Sequence, residues 1–457
     1  MPRYSSVVTG GRVYQAGALV PGDVVVDDER IVGIAASGQT LDAEETIDAA
    51  GKIVLPGMID THTHTRDPGY THKEDFYTAS MAAAAGGVTT IVDMPNVEPP
   101  TDTAGLFEAK LADVANKSIV DWGHWCAGTN VAEIPKLAEA GATGFKIFQV
   151  SGAYPHDPRL AMNDHGDLLT AFRTIADTGL PVVVHPFNQS LFERLSEEAF
   201  AAGKPRNWRT FSEVYTNEAI WHTAVSAILE LQRLSSVRLH LAHTHAARSL
   251  AMVRQAKANG QTVTCEVDPK YYMLTMDDLE RLHGLACPAG FVRSDEARMT
   301  AIYRAMNDGT IDNIGTDHAP HTREEIAVQE DDAWSAAAGS PQLDWIYSLL
   351  LTDLTEGRYP LRRLVEMVAE APARLVNAWP RKGLLAPGSD ADLVVVDLNR
   401  TETIVDASVY TKCGWTPYEG RVVRGVVELT MRRGAVIARD RRILGKPGSG
   451  RYLGAVA

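Results

Sequence analysis

Ile53–His64 reads Ile-Val-Leu-Pro-Gly-Met-Ile-Asp-Thr-His-Thr-His. Ile53–Ile59 is a short apolar run of strand type, and it leads directly into His62-Thr63-His64. Seven further runs of this kind follow: Val88–Asp93, Ile119–Trp125, Thr143–Phe148, Pro181–His185, Val237–His243, Gln261–Glu266 and Ile311–Thr316. Most of the intervening segments read as helices. Lys73–Ala85 is Ala-rich and closes on Gly86-Gly87, a C-cap signal; Glu213–Leu234 and Ala246–Ala258 are also helical in pattern. Strands alternating with helices imply right-handed βαβ units and a parallel sheet. Eight such repeats predict an α/β fold closed into a (β/α)8 TIM-type barrel. A doubly wound open sheet is the alternative, but it usually has fewer strands and accounts less well for the residues at the strand ends.

Working outward, both ends of the chain change character. Ser6–Thr9, Asp23–Asp27, Arg30–Ala35 and Glu45–Asp48 are short β-rich runs, as are Ala391–Asp397, Val422–Met431 and Gly434–Asp440. These regions are rich in turns and lack helical periodicity. The expectation is one small β-sandwich built from both termini, residues 1–54 and 379–457, with the barrel, residues 55–378, inserted between its halves. Gly-rich Lys446–Ala457 is expected to lie extended on the surface.

With 457 residues, 45% of them hydrophobic, the chain is long enough for a barrel of ~250 residues and a second module. Its formal net charge of -14 argues against nucleic acid or an anionic membrane as partner. Cys126, Cys265, Cys287 and Cys413 form no CxxC pair, which argues against a zinc ribbon or disulfide framework and suits a reducing cytoplasm. The first residues lack the apolar run of a signal peptide, and no stretch is apolar for long enough to span a bilayer.

The chemistry lies at the strand ends. Residues i and i+2 of a strand share a face, so His62 and His64 can bind one metal, although a bare HxH is equally compatible with two loop histidines. Lys146, in Gly144-Phe145-Lys146-Ile147-Phe148, sits in an apolar strand. Taken alone it reads better as a lysine reaching solvent or a carboxylate than as a functional amine. A buried amine of lowered pKa can, however, react with carbon dioxide to form a metal-bridging carbamate. His185, His243 and Asp317 each end a further run. One such ending means little, whereas five in one eight-strand pattern point to a site for Zn, Mn, Co, Ni or Fe. His245 shares a face with His243 and leaves the ligand open in that stretch.

Asp60–Gly69 (DTHTHTRDPG), His72–Asp75 (HKED), Ala85–Thr90 (AGGVTT), Asp93–Asn96 (DMPN), Asp317–His321 (DHAPH), Gly383–Asp397 and Trp415–Gly425 together resemble the cyclic amidohydrolases of the amidohydrolase superfamily, most of all the dihydroorotases. The resemblance covers nearly the whole chain and independently implies the barrel and the composite β domain. It implies two divalent metal ions, zinc first. His62, His64 and Asp317 would hold the more buried ion, His185 and His243 the second, with N6-carboxylated Lys146 bridging them. Asp317 would carry the proton from the attacking water to the leaving nitrogen. A homo-oligomer, dimer or tetramer, also follows from the resemblance alone.

In dihydroorotases the residues matching Arg66, Asn96 and His321 hold the substrate carboxylate, and Arg293 lies in a loop that contacts the ring. The residues themselves allow plainer readings: Arg66 paired with Asp67 or Glu74, and Asn96 as a turn residue after Pro95. Hydantoinases and dihydropyrimidinases are similar at Phe145–Phe148, but usually carry Tyr where Ser151 stands and lack the Arg. Allantoinases typically have Asn at position 66. Two stretches depart from dihydroorotase: Cys287-Pro-Ala-Gly-Phe-Val-Arg293 replaces Asn-Pro-Pro-Leu-Arg, and Pro269-Lys270-Tyr271 replaces Pro-His-His. The expected substrate is a small cyclic amide bearing a carboxylate, with other cyclic amides, imides or ureides as the alternative. An inactive dihydroorotase-like partner protein is disfavoured because all six ligand positions are retained. The polar segment Thr322–Ser340 is expected to form a mobile loop near the site.

Overall fold

The computed structural model describes residues 3–151, 157–287 and 296–454. Its centre is an eight-stranded parallel sheet whose strands neighbour one another in chain order. The strands are Met58–Thr63, Val88–Asp93, Asp121–Ala127, Gly144–Phe148, Pro181–His185, Arg238–Leu241, Val263–Val267 and Asn313–Ile314. The eighth has only two residues, and the ring closes past its end. There His64 N–H donates to His318 O at 2.8 Å, and Thr316 N–H donates to Asp60 Oδ1 at 2.9 Å. This is the (β/α)8 barrel expected from the strand count.

Ile53–Ile59, read above as one strand, is two. Ile53–Pro56 pairs antiparallel with Leu393–Thr403 in the terminal sheet, and Met58–Thr63 opens the barrel. Gly57 lies between them where the chain runs against Thr89; a Cβ there would sit 2.3 Å from Thr89 Cγ2. Glu213–Leu234 also divides, into Trp208–Tyr215 and Glu218–Ser235. The break falls where Asn217 caps the second helix, its side chain accepting from Ala219 N–H at 3.0 Å. The Ala-rich helix spans Phe76–Ala85 and has a capping box at Asp75.

The termini build the sandwich as expected. A four-stranded sheet is entirely N-terminal, while a seven-stranded sheet interleaves strands from both ends. Val8, Val24, Val26, Val54, Leu393, Val395 and Met431 are among the residues that fill the space between them. The tail is not merely laid on the surface. Trp122 N–H donates to Arg451 O at 2.9 Å, Leu453 N–H donates to Trp122 O at 2.7 Å, and Leu453 is buried. The segment thus adds backbone pairing to the third barrel strand, which satisfies main-chain groups that a free tail would leave to water. Among the described residues no helix is long and apolar enough to cross a membrane, and the four cysteines are free thiols.

A buried ionic cluster ties the barrel to the sandwich. Lys382 Nζ lies 2.7 Å from Asp121 Oδ2, 2.6 Å from Asp392 Oδ2 and 3.1 Å from Asp390 Oδ2, and Arg433 Nε reaches Asp121 at 3.1 Å. Removing one partner of a buried pair strands the other charges and costs about 3–5 kcal/mol. Lys382→Met should therefore lower the unfolding free energy by about that amount, read as a fall in the urea midpoint, with activity per folded molecule unchanged. A midpoint equal to that of the parent would show that the cluster is not stabilising.

Candidate metal centre

The strands deliver their terminal side chains to one end of the barrel, the C-terminal rim where barrel active sites lie. His62 is the penultimate residue of the first strand, and His64 follows that strand. Lys146 lies in the fourth strand and His185 ends the fifth. His243 and Asp317 stand just beyond the sixth and eighth. All six are buried. Ligand atoms of His62, His243 and Asp317 lie within 4.8 Å of one another and could hold a metal ion. His62 Nε2 and His64 Nε2 are each 3.2 Å from Asp317 Oδ1. The rings of His185 and His243 meet edge-on with centroids 4.4 Å apart. Arg66, His243 and Asp317 have φ of 61°, 32° and 45°. Left-handed backbone at non-glycine residues costs of order 1–3 kcal/mol each and clusters where function over-determines the geometry.

Lys146 Nζ, His185 Nε2 and His243 Nδ1 are buried without a hydrogen-bond partner among the described residues. Orphaned polar atoms carry a desolvation cost unless something else satisfies them. Three such atoms converging on carboxylate and imidazole fit a divalent cation. Burial pulls the Lys146 amine down to about 8, against the opposing pull of Glu266, Asp317 and Asp268. Burial, reinforced by Lys146 at His185 and by His185 at His243, keeps both imidazoles neutral, the form that ligates metal. Burial disfavours charge on Asp317, but Lys270 and His62 outweigh it and hold the carboxyl well below the usual range.

Neighbouring residues set the orientation of these groups. His62 Nδ1 is bonded to Glu266, whose other oxygen takes Thr61 Oγ1 at 3.3 Å and His240 Nε2 at 3.2 Å. The His62 Nε2 edge is thereby turned to the site. Glu266 lies across Gly315, where a Cβ would sit 2.5 Å from its Oε2. His64 Nδ1 is bonded to Asn96 Oδ1 at 2.7 Å, so Asn96 supports a candidate ligand. His245 is drawn off by other contacts. Its Nδ1 donates to His243 O at 2.8 Å and its ring stacks on Tyr271 at 4.4 Å, so it is His243 that faces His185.

The residues assigned to the carboxylate cluster beside this centre. Arg66 Nη2 is 3.2 Å from His321 Nε2, and Arg66 Nε donates to Pro320 O at 3.3 Å. Burial pushes His321 down to about 3, so the ring is a neutral hydrogen-bonding group. Arg293 lies outside the described residues. Four residues in this region had not been assigned a role: Glu266, Asp268, Lys270 and Lys73. Lys73 Nζ is 3.1 Å from His321 Nδ1 and 3.0 Å from Glu325 Oε1. The signal for Glu266 and Asp268 was their acidity at the end of an apolar strand, and that for Lys270 was its departure from the family's histidine. Thr322–Ser340, expected to be a mobile loop, contains two short helices, Arg323–Ala327 and Gln329–Asp332. A capping box at Thr322 and the bond from Trp208 Nε1 to Glu330 Oε2 at 3.0 Å secure it.

A parallel barrel with imidazoles, a lysine and an aspartate gathered at its C-terminal rim defines the class of metal-dependent barrel hydrolases. A profile of the Amidohydrolase family matches residues 53–437, and the chain belongs to that family. It is 33% identical to L-hydantoinase of Paenarthrobacter aurescens, with 98% of each chain covered. It is also 35% identical to dihydroorotase of Methanothermobacter thermautotrophicus, with 95% of this chain and 94% of the relative covered. Among solved structures, L-hydantoinase (dihydropyrimidinase) from Arthrobacter aurescens superposes with a TM-score of 0.93 at 31% identity, over 98% of this chain and 99% of that one.

Proposed function

We propose that the protein is a binuclear metal-dependent hydrolase that opens the carbon–nitrogen bond of a small cyclic amide bearing a ring carboxylate, dihydroorotate or a close analogue. The observation that carries the substrate class is the buried Arg66 guanidinium beside neutral His321, at the edge of the candidate metal centre. A guanidinium matches a carboxylate in geometry and charge. In a chain of net charge -14, an anionic substrate requires such a local positive site. A second reading, a neutral hydantoin- or dihydropyrimidine-type ring, draws on the similarity to proteins carrying those names.

In this proposal His62, His64, His185, His243, Asp317 and Lys146, the last as a carbamate, would hold two divalent cations. Two divalent cations there would supply a Lewis acid for the ring carbonyl and lower the pKa of water towards ~7. Asp317 takes the proton of the attacking water at a carboxylate oxygen and passes it to the leaving ring nitrogen. Arg66 and His321 fix the substrate carboxylate and so orient the scissile amide, and Asn96 keeps the His64 ring in place. The burial of all these groups keeps bulk water from competing.

The test is hydrolysis by zinc-loaded protein of dihydroorotate, hydantoin, dihydrouracil and allantoin under identical conditions. Turnover of dihydroorotate well above the three neutral rings is the expected result. Preference for a neutral ring would overturn the carboxylate assignment in favour of the second reading.

A further inference from the structure

The two oxygens of Asp317 are used differently. Oδ1 faces His62 Nε2 and His64 Nε2, each at 3.2 Å, whereas Oδ2 is bonded to the Lys270 ammonium. Lys270 begins the helical turn Lys270–Met273, which follows the seventh barrel strand, and it is only 2% exposed. Its Nζ lies 3.8 Å from Asp268 Oδ2 and 5.3 Å from the centroid of the Tyr271 ring. Neither Asp268 oxygen has a hydrogen-bond partner among the described residues. A buried ammonium is costly unless it is paired, and here the pairing is with the carboxylate at the heart of the site.

We propose that Lys270 is a positioning residue. It binds Asp317 through Oδ2 and so presents Oδ1 alone to the space between the imidazoles. Oδ1 is then the oxygen that Asp317 would offer to a metal ion. The Lys270 ammonium is flanked by the Tyr271 ring, which is itself stacked on His245. The inference rests on the reading of Asp317 as a metal ligand. The opposing possibility is that Lys270 is a stand-in cation that occupies a metal position and must leave when the ion arrives.

The two possibilities predict opposite signs. Zinc affinity, measured by competition with a chromophoric chelator, should fall by ~10–100-fold in K270M, the range typical when a partner of a metal ligand is lost. kcat should fall with KM nearly unchanged, and K270R, which keeps the cation, should recover part of both losses. If K270M does not fold, K270Q carries the same test, since its amide keeps the bulk but not the charge. Zinc affinity in the variant equal to or tighter than in the parent overturns the inference, as does a change confined to KM. A parent protein that binds no zinc would instead overturn the reading of the site itself, which separates the two failures.

Discussion

Replacing Lys146 by alanine is expected to remove the metal pair and the activity together, while leaving the metal-free fold intact. The side chain is 1% exposed, its Nζ has no hydrogen-bond partner among the described residues, and burial draws the amine down to about 8. An ammonium there, without a hydrogen-bond partner among the described residues, carries a desolvation cost. A carbamate would form by attack of the neutral amine on carbon dioxide with release of one proton, replacing a neutral amine by an anion with two donor oxygens. Removing that group should reduce turnover by more than the ~10–100-fold typical of losses outside the ligand shell. Metal per chain, counted by mass spectrometry, should fall with it. Because the variant deletes a buried, unpaired amine, the apo form should unfold at no lower urea concentration than the apo parent. Full metal occupancy in Lys146→Ala would sink the bridging role.

Arg66→Met is expected to separate substrate recognition from metal binding. A hydrogen bond to a charged group is worth about 1.5–3 kcal/mol, which corresponds to roughly 10- to 150-fold in kcat/KM for a carboxylated ring. Neutral rings should lose far less, because they have no carboxylate to place against the guanidinium. Metal content should match the parent, since the Arg66 guanidinium bonds to His321 and Pro320. An unchanged KM for the carboxylated substrate would end the assignment of Arg66 to that group.

The sequence by itself determined the barrel, because apolar β-rich runs alternating with helical segments leave few other ways to bury both faces of a parallel sheet. It also determined which side chains would meet. Positions at the ends of successive barrel strands share one rim whatever the loops do, and so His62, His64, His185 and Asp317 could be grouped in advance, whereas Lys146 taken alone read as a lysine reaching solvent and His243 was not separable from His245. The two-ended sandwich was legible for a similar reason, as strand runs at both termini need partners. The parting of Ile53–Pro56 from Met58–Thr63 depends on the crossing of Gly57 over Thr89, a contact between segments that no local pattern records. The choice of His243 over His245 depends on which ring Tyr271 stacks against. Glu266 behind His62, Asn96 behind His64 and Lys270 on Asp317 are partnerships between residues 32 to 204 positions apart in the chain. Periodicity and spacing report only what lies within a few residues. Hydrogen-bond partners across the barrel are set by where whole strands come to rest, and only the tertiary structure decides that.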